Sequence, residues 1–292
     1  MPVSIALAVF NEESNLHYSL DSTIEWADEI VIVDGGSTDK TVLIAKTYGK
    51  KVKVIETHNN PTNFHINKQL ALDNCKNKWV LQLDADEEVS KELKHEIINI
   101  TQMNNEEIEK YQNSIPDNEK KLFLRHQSLV LPKMQTQKQE HKIYAGFFVP
   151  RLNNFLGKFM RYGGLYPDAP IRLIDKNKAY FPCKDVHEVI EVKGKIGWLR
   201  NPLLHYDSPT FDRYISRNNR YVHFLANQLR QNKTPKNFRT AIDYIILKPT
   251  NWFVLSLIRH KGILDGWRGV VFAFFSAIRF CRAYLLYISD NK

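Results

Sequence analysis

Two acids, Asp84 and Asp86, close the apolar run Trp79–Leu83 (WVLQL) and lead directly into Glu87-Glu88. Carboxylates at i and i+2 after a buried strand can share a divalent ion. Hard cations such as Mg²⁺ take oxygen ligands and often complete their shell with substrate phosphates. Acids crowded on a strand end repel each other, so a metal is a reasonable counterion. An isolated DxD triplet is commonly a solvated turn; the strand before it and the acids after it set this one apart. Asp34-Gly35-Gly36-Ser37-Thr38-Asp39 follows a second apolar run, Glu29–Val33. Glycine there lets the backbone approach a ligand, and Asp34 could accept hydrogen bonds from a base or ribose. The same segment serves equally as a strand–turn–helix cap. Downstream, Lys184-Asp185-Val186-His187-Glu188 places carboxylates beside a histidine. These are the residue types of a general base, though a His-Glu pair is often only a surface feature. His205, in NPLLHYDSP, is either structural or a nitrogen ligand to the same metal. Neither a GxGxxG dinucleotide fingerprint nor a GxxxxGK phosphate loop is present.

These clusters need a scaffold, and the first hundred residues supply one. Apolar runs at 4–10, 29–33, 52–56 and 79–83 alternate with helical stretches, among them 40–48, 63–74 and a helix starting at Ser90. Strands separated by helices predict a Rossmann-like, mostly parallel α/β sheet flanked by helices. Ligands of such sheets lie beyond the carboxyl ends of the strands. Asn11-Glu12, Asp34-Gly35 and Asp84 to Glu88 all fall at those ends. Residues about 104–142 are polar with weak periodicity and read as a surface insertion. Short strands are expected at 143–150, 169–175, 179–181 and 189–192, and a helix at 211–231.

The tail from 251 to 288 is rich in aromatic and apolar residues. If 268–288 is helical, Arg268, Arg279 and Arg282 share one side, while Val270, Phe274, Leu285 and Ile288 fall opposite. That pattern suits an amphipathic helix in a membrane interface, or a core-packing C-terminal helix. The expected organisation is a catalytic domain over 1–238 and a helical, membrane-associating extension over 239–292.

The chain has 292 residues, 43% hydrophobic and 25% charged, with a net charge of +9. Disordered and collagen-like chains are thereby excluded. Residues 1–100 carry 10 Lys/Arg against 16 Asp/Glu, whereas residues 151–292 carry 24 against 10. A nucleic-acid binder would gather basic residues around the first clusters, so this split argues against nucleic acid. Cys75, Cys183 and Cys281 are widely spaced, which suits a reducing compartment. No run of 18 apolar residues predicts a transmembrane helix, and no basic n-region precedes the first apolar stretch to suggest a signal peptide.

Taken in order, SIALAVFNEESNL, EIVIVDGGSTDKT and WVLQLDADEE resemble the nucleotide-sugar glycosyltransferases of family 2, which have the GT-A fold. RYGGLYPDAPIRLI, KDVHEVIEV and NPLLHYDSPTFDRYISRNNRY resemble bacterial glucosyltransferases that extend the inner core of lipopolysaccharide. The resemblance covers nearly the whole chain apart from 104–142. It implies that Asn11, Glu12 and Asp34 hold the nucleoside, with Lys68 near the nucleotide. Asp84 would contact the ribose or the metal-bound diphosphate. Asp86 would coordinate Mg²⁺ or Mn²⁺, and His205 would complete the metal site. Glu188 matches the position of the base. The common base motif is Glu-Asp and here it is His-Glu, so Asp185 stays open as an alternative. Arg161, Arg172 and Lys184 are candidates for acceptor phosphates or carboxylates, since guanidinium forks suit oxyanions. The implied activity is an inverting, metal-dependent transfer of a hexose. The donor would be a nucleotide sugar such as UDP-glucose, and the acceptor a lipid-linked anionic glycan at the cytoplasmic face of the inner membrane, with a polyprenyl- or protein-linked glycan as the alternative. A catalytically idle binding module on the same fold is disfavoured by intact Asp34, Asp84, Asp86 and Glu188.

Overall fold

The structure, a computed structural model, describes residues 1–58, 63–134, 143–183 and 189–289. Strands β1 (Val3–Val9), β2 (Glu29–Asp34), β3 (Val52–Glu56) and β4 (Trp79–Leu83) alternate with helices α1 (Leu16–Asp21), α2 (Thr41–Thr47) and α3 (His65–Asp73). Runs such as IVIV and WVLQL become strands covered on both faces, so alternation gives way to continuous apolar sequence. Ile5, Leu7, Ile30, Ile32, Leu81 and Leu83 are all fully buried in one core. The four strands are parallel, with Ala6 opposite Val31, Ile32 opposite Val54 and Ile5 opposite Leu81. Their order, β3-β2-β1-β4, reverses direction between β1 and β4. That reversal opens a crevice at the carboxyl ends of these strands.

Next come β5 (Glu87–Val89), α4 (Lys91–Gln102), α5 (Asn105–Asn113), α6 (Asp117–Val130) and β6 (Tyr144–Phe148). Then follow β7 (Arg151–Phe155), β8 (Lys158–Met160), β9 (Ile171–Asp175), β10 (Ala179–Tyr180), β11 (Glu191–Val192), β12 (Lys195–Trp198) and β13 (Leu203–Ser208). The sheet extends beyond β4 through β9, antiparallel to β4, and then through β6 and β12, which run parallel to each other and antiparallel to β9. The expected mostly parallel α/β sheet is therefore present, and Ser90 caps α4 by accepting from the Leu93 amide.

The stretch read as an insertion is different in its described part, 104–134. Asn104 and Glu107 form a reciprocal capping box at the start of α5. Ile108, Ile115 and Phe123 are buried. Phe123 stacks on Trp198 with ring centroids 4.3 Å apart, and Gln127 accepts from the Trp198 indole N–H at 2.9 Å. These helices bury few residues per turn, so their apolar periodicity is weak although their anchoring is firm. Residues 135–142 lie outside the described segments.

The chain divides into two compact units, Met1–Arg151 with Pro167–His205, and Leu152–Tyr166 with Tyr206–Lys292. The helix expected at 211–231 falls in the second unit, where it packs with the tail. The second unit holds the β7–β8 hairpin, α7 (Phe211–Gln231), α8 (Phe238–Arg259) and α9 (Trp267–Ser289). Ala226 and Leu229 of α7 pack against Tyr284 and Tyr287 of α9. A second cluster joins Phe155, Met160 and Tyr214, with Phe272 and Phe275 against it.

The arginines of the tail point toward protein. Arg282 donates to Asn218 at 3.3 Å and to Asn219 at 2.5 Å, both on α7. The Arg279 guanidinium lies over Tyr221 and Trp252, and Arg268 Nε donates to the Leu156 carbonyl at 2.8 Å. The basic stripe therefore faces protein, and the exposed side of α9 is apolar, with Trp267, Phe274 and Leu285 at least half exposed. By length and composition, α8 and α9, of 22 and 23 residues, are also long and apolar enough to cross a membrane. The sequence shows no unbroken apolar run because paired groups interrupt it. Lys248, for example, sits 2.8 Å from Asp243.

Candidate active site

At the carboxyl ends of β1 and β2, two loops are tied together. Asn11 adopts a left-handed backbone (φ 55°). Its amide donates to Ser37 Oγ at 2.8 Å, and its side-chain carbonyl accepts from the Thr38 amide at 2.8 Å. The Glu12 amide donates to Thr41 Oγ1 at 2.8 Å. Asp34 is buried and turned back into its own loop, where Oδ2 accepts from the Gly36 and Ser37 amides, each at 2.9 Å. Its Oδ1 accepts from Ser37 Oγ. Gly36 carries φ +83°, which the turn requires and which a side chain would strain. Asn11, Glu12 and Asp34 are thus brought together as expected, with Asp34 shaping the loop.

The end of β4 carries a dense ion network. Lys68, on α3, donates to Asp84 Oδ1 at 2.7 Å. Arg172, on β9, pairs with Asp84 Oδ2, with Gln82 Oε1 and, at 2.7 Å, with Glu87 Oε1. Arg151 reaches the same Glu87 oxygen at 3.1 Å and Asp168 at 2.9 Å. Glu87 Oε2 accepts from the Asp84 amide at 2.9 Å, closing the turn. Glu87 is 0% exposed and Arg172 4%. Burial alone would push the Asp84 carboxyl toward the neutral form. The Arg172 and then the Lys68 charges overcome this and hold its pKa well below the usual carboxylate range. Burial opposes the Arg172 charge too, yet Asp84 and Glu87 drive its pKa upward.

Asp84 and Asp86 therefore part company. Both Asp84 oxygens are engaged by cations, whereas Asp86 Oδ1 faces His205 Nε2 at 3.6 Å. β13 runs antiparallel to β5 with His205 opposite Glu87, which sets the histidine beside the turn. One carboxylate oxygen and one imidazole nitrogen at that separation can both contact a single divalent cation. Diphosphate oxygens and water would then fill its remaining positions. The donor set thus fits Mg²⁺ or Mn²⁺. Among the described residues no cluster of three or more His, Cys, Asp or Glu side chains surrounds a single point, so the chain alone would give an open site.

The other candidates scatter. Arg172, expected to meet an acceptor, is instead buried in the ion network. Arg161 is exposed in the second unit, its guanidinium 5.0 Å from the centre of the Tyr166 ring. Lys184, Asp185 and Glu188 lie outside the described residues. Sequence reasoning missed Gln82, Glu87 and Arg151 as members of the network. Gln82 and Glu87 carried one signal, polar side chains in an otherwise apolar strand and turn that must be buried and therefore partnered.

Residues 4–164, more than half of the chain, match the family described as "Glycosyl transferase family 2". An uncharacterized glycosyltransferase of Rickettsia bellii is 28% identical over 99% of this chain and 88% of its own length. The lipopolysaccharide core biosynthesis glycosyltransferase LpsC of Rhizobium meliloti is 25% identical over 100% of this chain and 96% of its own. Among solved structures, S. aureus TarS 1-349 in complex with UDP is 15% identical, with a TM-score of 0.41, covering 99% of this chain and 89% of that one.

Arg172→Ala removes the cation shared by half-buried Asp84 and buried Glu87, leaving Lys68 on the one and Arg151 on the other. It should cost about 2–3 kcal/mol in urea unfolding at neutral pH. A depressed carboxylate pKa gives stability that is complete above the unfolded pKa and is lost as pH falls through the folded one. The gap between wild type and variant should therefore hold constant from neutral pH down to about 4 and close below it. A gap under about 1 kcal/mol at neutral pH contradicts the network.

Proposed function

The chain belongs to glycosyl transferase family 2, and from that premise we propose that it moves a hexose from a nucleotide sugar to a lipopolysaccharide-core or related surface glycan, with inversion and with help from a divalent metal. The observation that carries the metal-dependent part is the Asp86–His205 pair beside Asp84, whose two oxygens each meet a cation. The similarity to LpsC along both chains supports the choice of acceptor.

The residues divide the work as follows. The loop of Asn11, Glu12 and Asp34 receives the nucleoside at the switch point of the sheet. Asp86 and His205 hold the metal, which when bound neutralises charge on the departing diphosphate. Lys68 and Arg172 fix the Asp84 carboxylate, and the turn from Asp84 to Glu87 sets where Asp86 points. In the transfer, an acceptor hydroxyl oxygen bonds to the anomeric carbon while the bond from that carbon to the diphosphate oxygen breaks. The hydroxyl proton goes to Glu188, or to Asp185, as general base.

The second unit is proposed to rest on the membrane that carries the acceptor. Phe238, Ile258, Ile263, Leu264 and Trp267 are all more than half exposed on α8, α9 and the turn between them. An apolar surface of that extent on one helical pair marks a membrane or protein contact. The inward-facing arginines leave burial of apolar side chains as its main source of affinity, with the basic charge of the second half of the chain adding attraction to anionic lipid.

Asp86→Ala tests the first claim. In a thermal-shift screen of UDP-, GDP-, ADP- and dTDP-hexoses, the wild type should gain stability from one donor, and more so with Mn²⁺ or Mg²⁺. The variant should lose the metal increment and the transfer activity while its ligand-free melting stays put. A metal increment that survives in the variant rules out Asp86 as the ligand. For the membrane claim, Ile258→Asp with Trp267→Asp should abolish sedimentation with vesicles of mixed neutral and anionic phospholipid. Undiminished sedimentation by the folded double variant would remove the apolar face from the account.

A further inference from the structure

Beside the ion network lies a cavity of about 340 Å³ inside the first unit. Its polar side is Lys68, Gln82, Arg151, Asp168 and Arg172. Its apolar side includes Phe64, Phe181, Ile171 and Ile190. The remaining wall comes from α6, through His126 and Val130. That wall belongs to the stretch whose sequence reads as a surface insertion. It is pinned in place, since His126 Nε2 lies 2.9 Å from the Ala169 carbonyl oxygen and the ring packs edge-on against Phe148 and Trp198.

The charges of this cavity cancel. Lys68 and Arg172 pair with Asp84, Arg172 and Arg151 with Glu87, and Arg151 with Asp168. Among the described residues, three cations thus meet three carboxylates, of which Asp84 and Glu87 lie just behind the lining. A site for a phosphate or a carboxylate would carry surplus positive charge. This one offers donors and acceptors in fixed directions without net charge. One donor is left over, because Arg172 Nε is buried with no hydrogen-bond partner among the described residues. The half-exposed Phe64 ring supplies an apolar platform. A pyranose has this same division, with hydroxyl groups around its edge and C–H bonds on its faces. The volume is near the lower end for ligand sites, roughly 300–1,000 Å³, so it suits a sugar ring better than a whole nucleotide sugar.

We propose that this cavity receives the uncharged hexose of the donor and that α6, through Val130 and His126, is the wall that selects it. The inference rests on the nucleotide-sugar reading above and adds a specificity-determining helix to it. Lys68 and Asp84 join the cavity to the end of β4, so a nucleotide held at the switch point can pass its sugar into it.

Calorimetric titration of the full-length protein with nucleoside diphosphates (UDP, GDP, ADP, dTDP) and their hexose conjugates, with Mn²⁺, tests this. Val130→Trp fills the cavity from the α6 side. It should weaken binding of the preferred nucleotide hexose by about tenfold or more, the usual scale for a steric change in a pocket. Binding of the free diphosphate should stay within about twofold of wild type, a change under 0.5 kcal/mol. Asp168→Asn leaves one cation in surplus. It should narrow the preference for the neutral hexose conjugate over the matching uronic acid conjugate, which the wild type binds more weakly. Equal losses for diphosphate and conjugate in Val130→Trp, or no loss in either, would overturn the α6 wall. So would a wild type that binds the uronate conjugate as tightly as the neutral one. If the wild type binds none of the diphosphates, the donor reading falls and this inference falls with it.

Discussion

The Arg172 guanidinium between Asp84 and Glu87 is the contact on which the rest of the site depends. Three acids crowd the turn after β4, where like charges repel and a cation held among them offsets that repulsion. Arg172 comes from β9, which runs antiparallel to β4. The pairing of these two strands therefore delivers the cation to the acids. Once Asp84 and Glu87 are held, Asp86 is the member of the triplet left to face His205. Arg151 extends the same network to Asp168 and so to the floor of the neighbouring cavity.

Much of this was legible from residue order. The strands 29–34 and 79–83 stand out because fully buried parallel strands are continuous in apolar residues, whereas the edge strand 52–56 is only partly buried, and the polar clusters after 34 and 83 mark the crevice. Lys68 is a nucleotide candidate only through resemblance to a family, whereas His205 is a candidate metal ligand by residue type as well. Arg172 looked like an acceptor contact because sequence gives residue type without burial; a guanidinium suits a substrate oxyanion and a buried carboxylate equally. Residues 104–134 looked like an insertion because α5 and α6 attach through a few buried residues, such as Ile108 and Phe123, rather than a continuous apolar stripe. Aromatic stacking of Phe123 on Trp198 leaves no periodic trace.

The second unit shows the same limit from another side. A helical wheel correctly separates Arg268, Arg279 and Arg282 from Phe274 and Leu285, yet cannot say which side meets the protein. The arginines find Asn218, Asn219 and the Leu156 carbonyl, so the apolar side is left outward. The outward apolar side is the orientation that the interfacial reading of this helix requires, rather than that of a core-packing helix.

If Asp84 is spent on the ion network, a bound metal rests on Asp86 and His205. Pulsed electron paramagnetic resonance of Mn²⁺ with a nucleoside diphosphate observes that division directly, since a coordinated imidazole adds a nitrogen coupling to the manganese signal. The coupling is expected in the wild type and in Asp84→Asn, and should vanish in His205→Gln. Nitrogen coupling that is absent from the wild type, or that persists in His205→Gln, would contradict the arrangement.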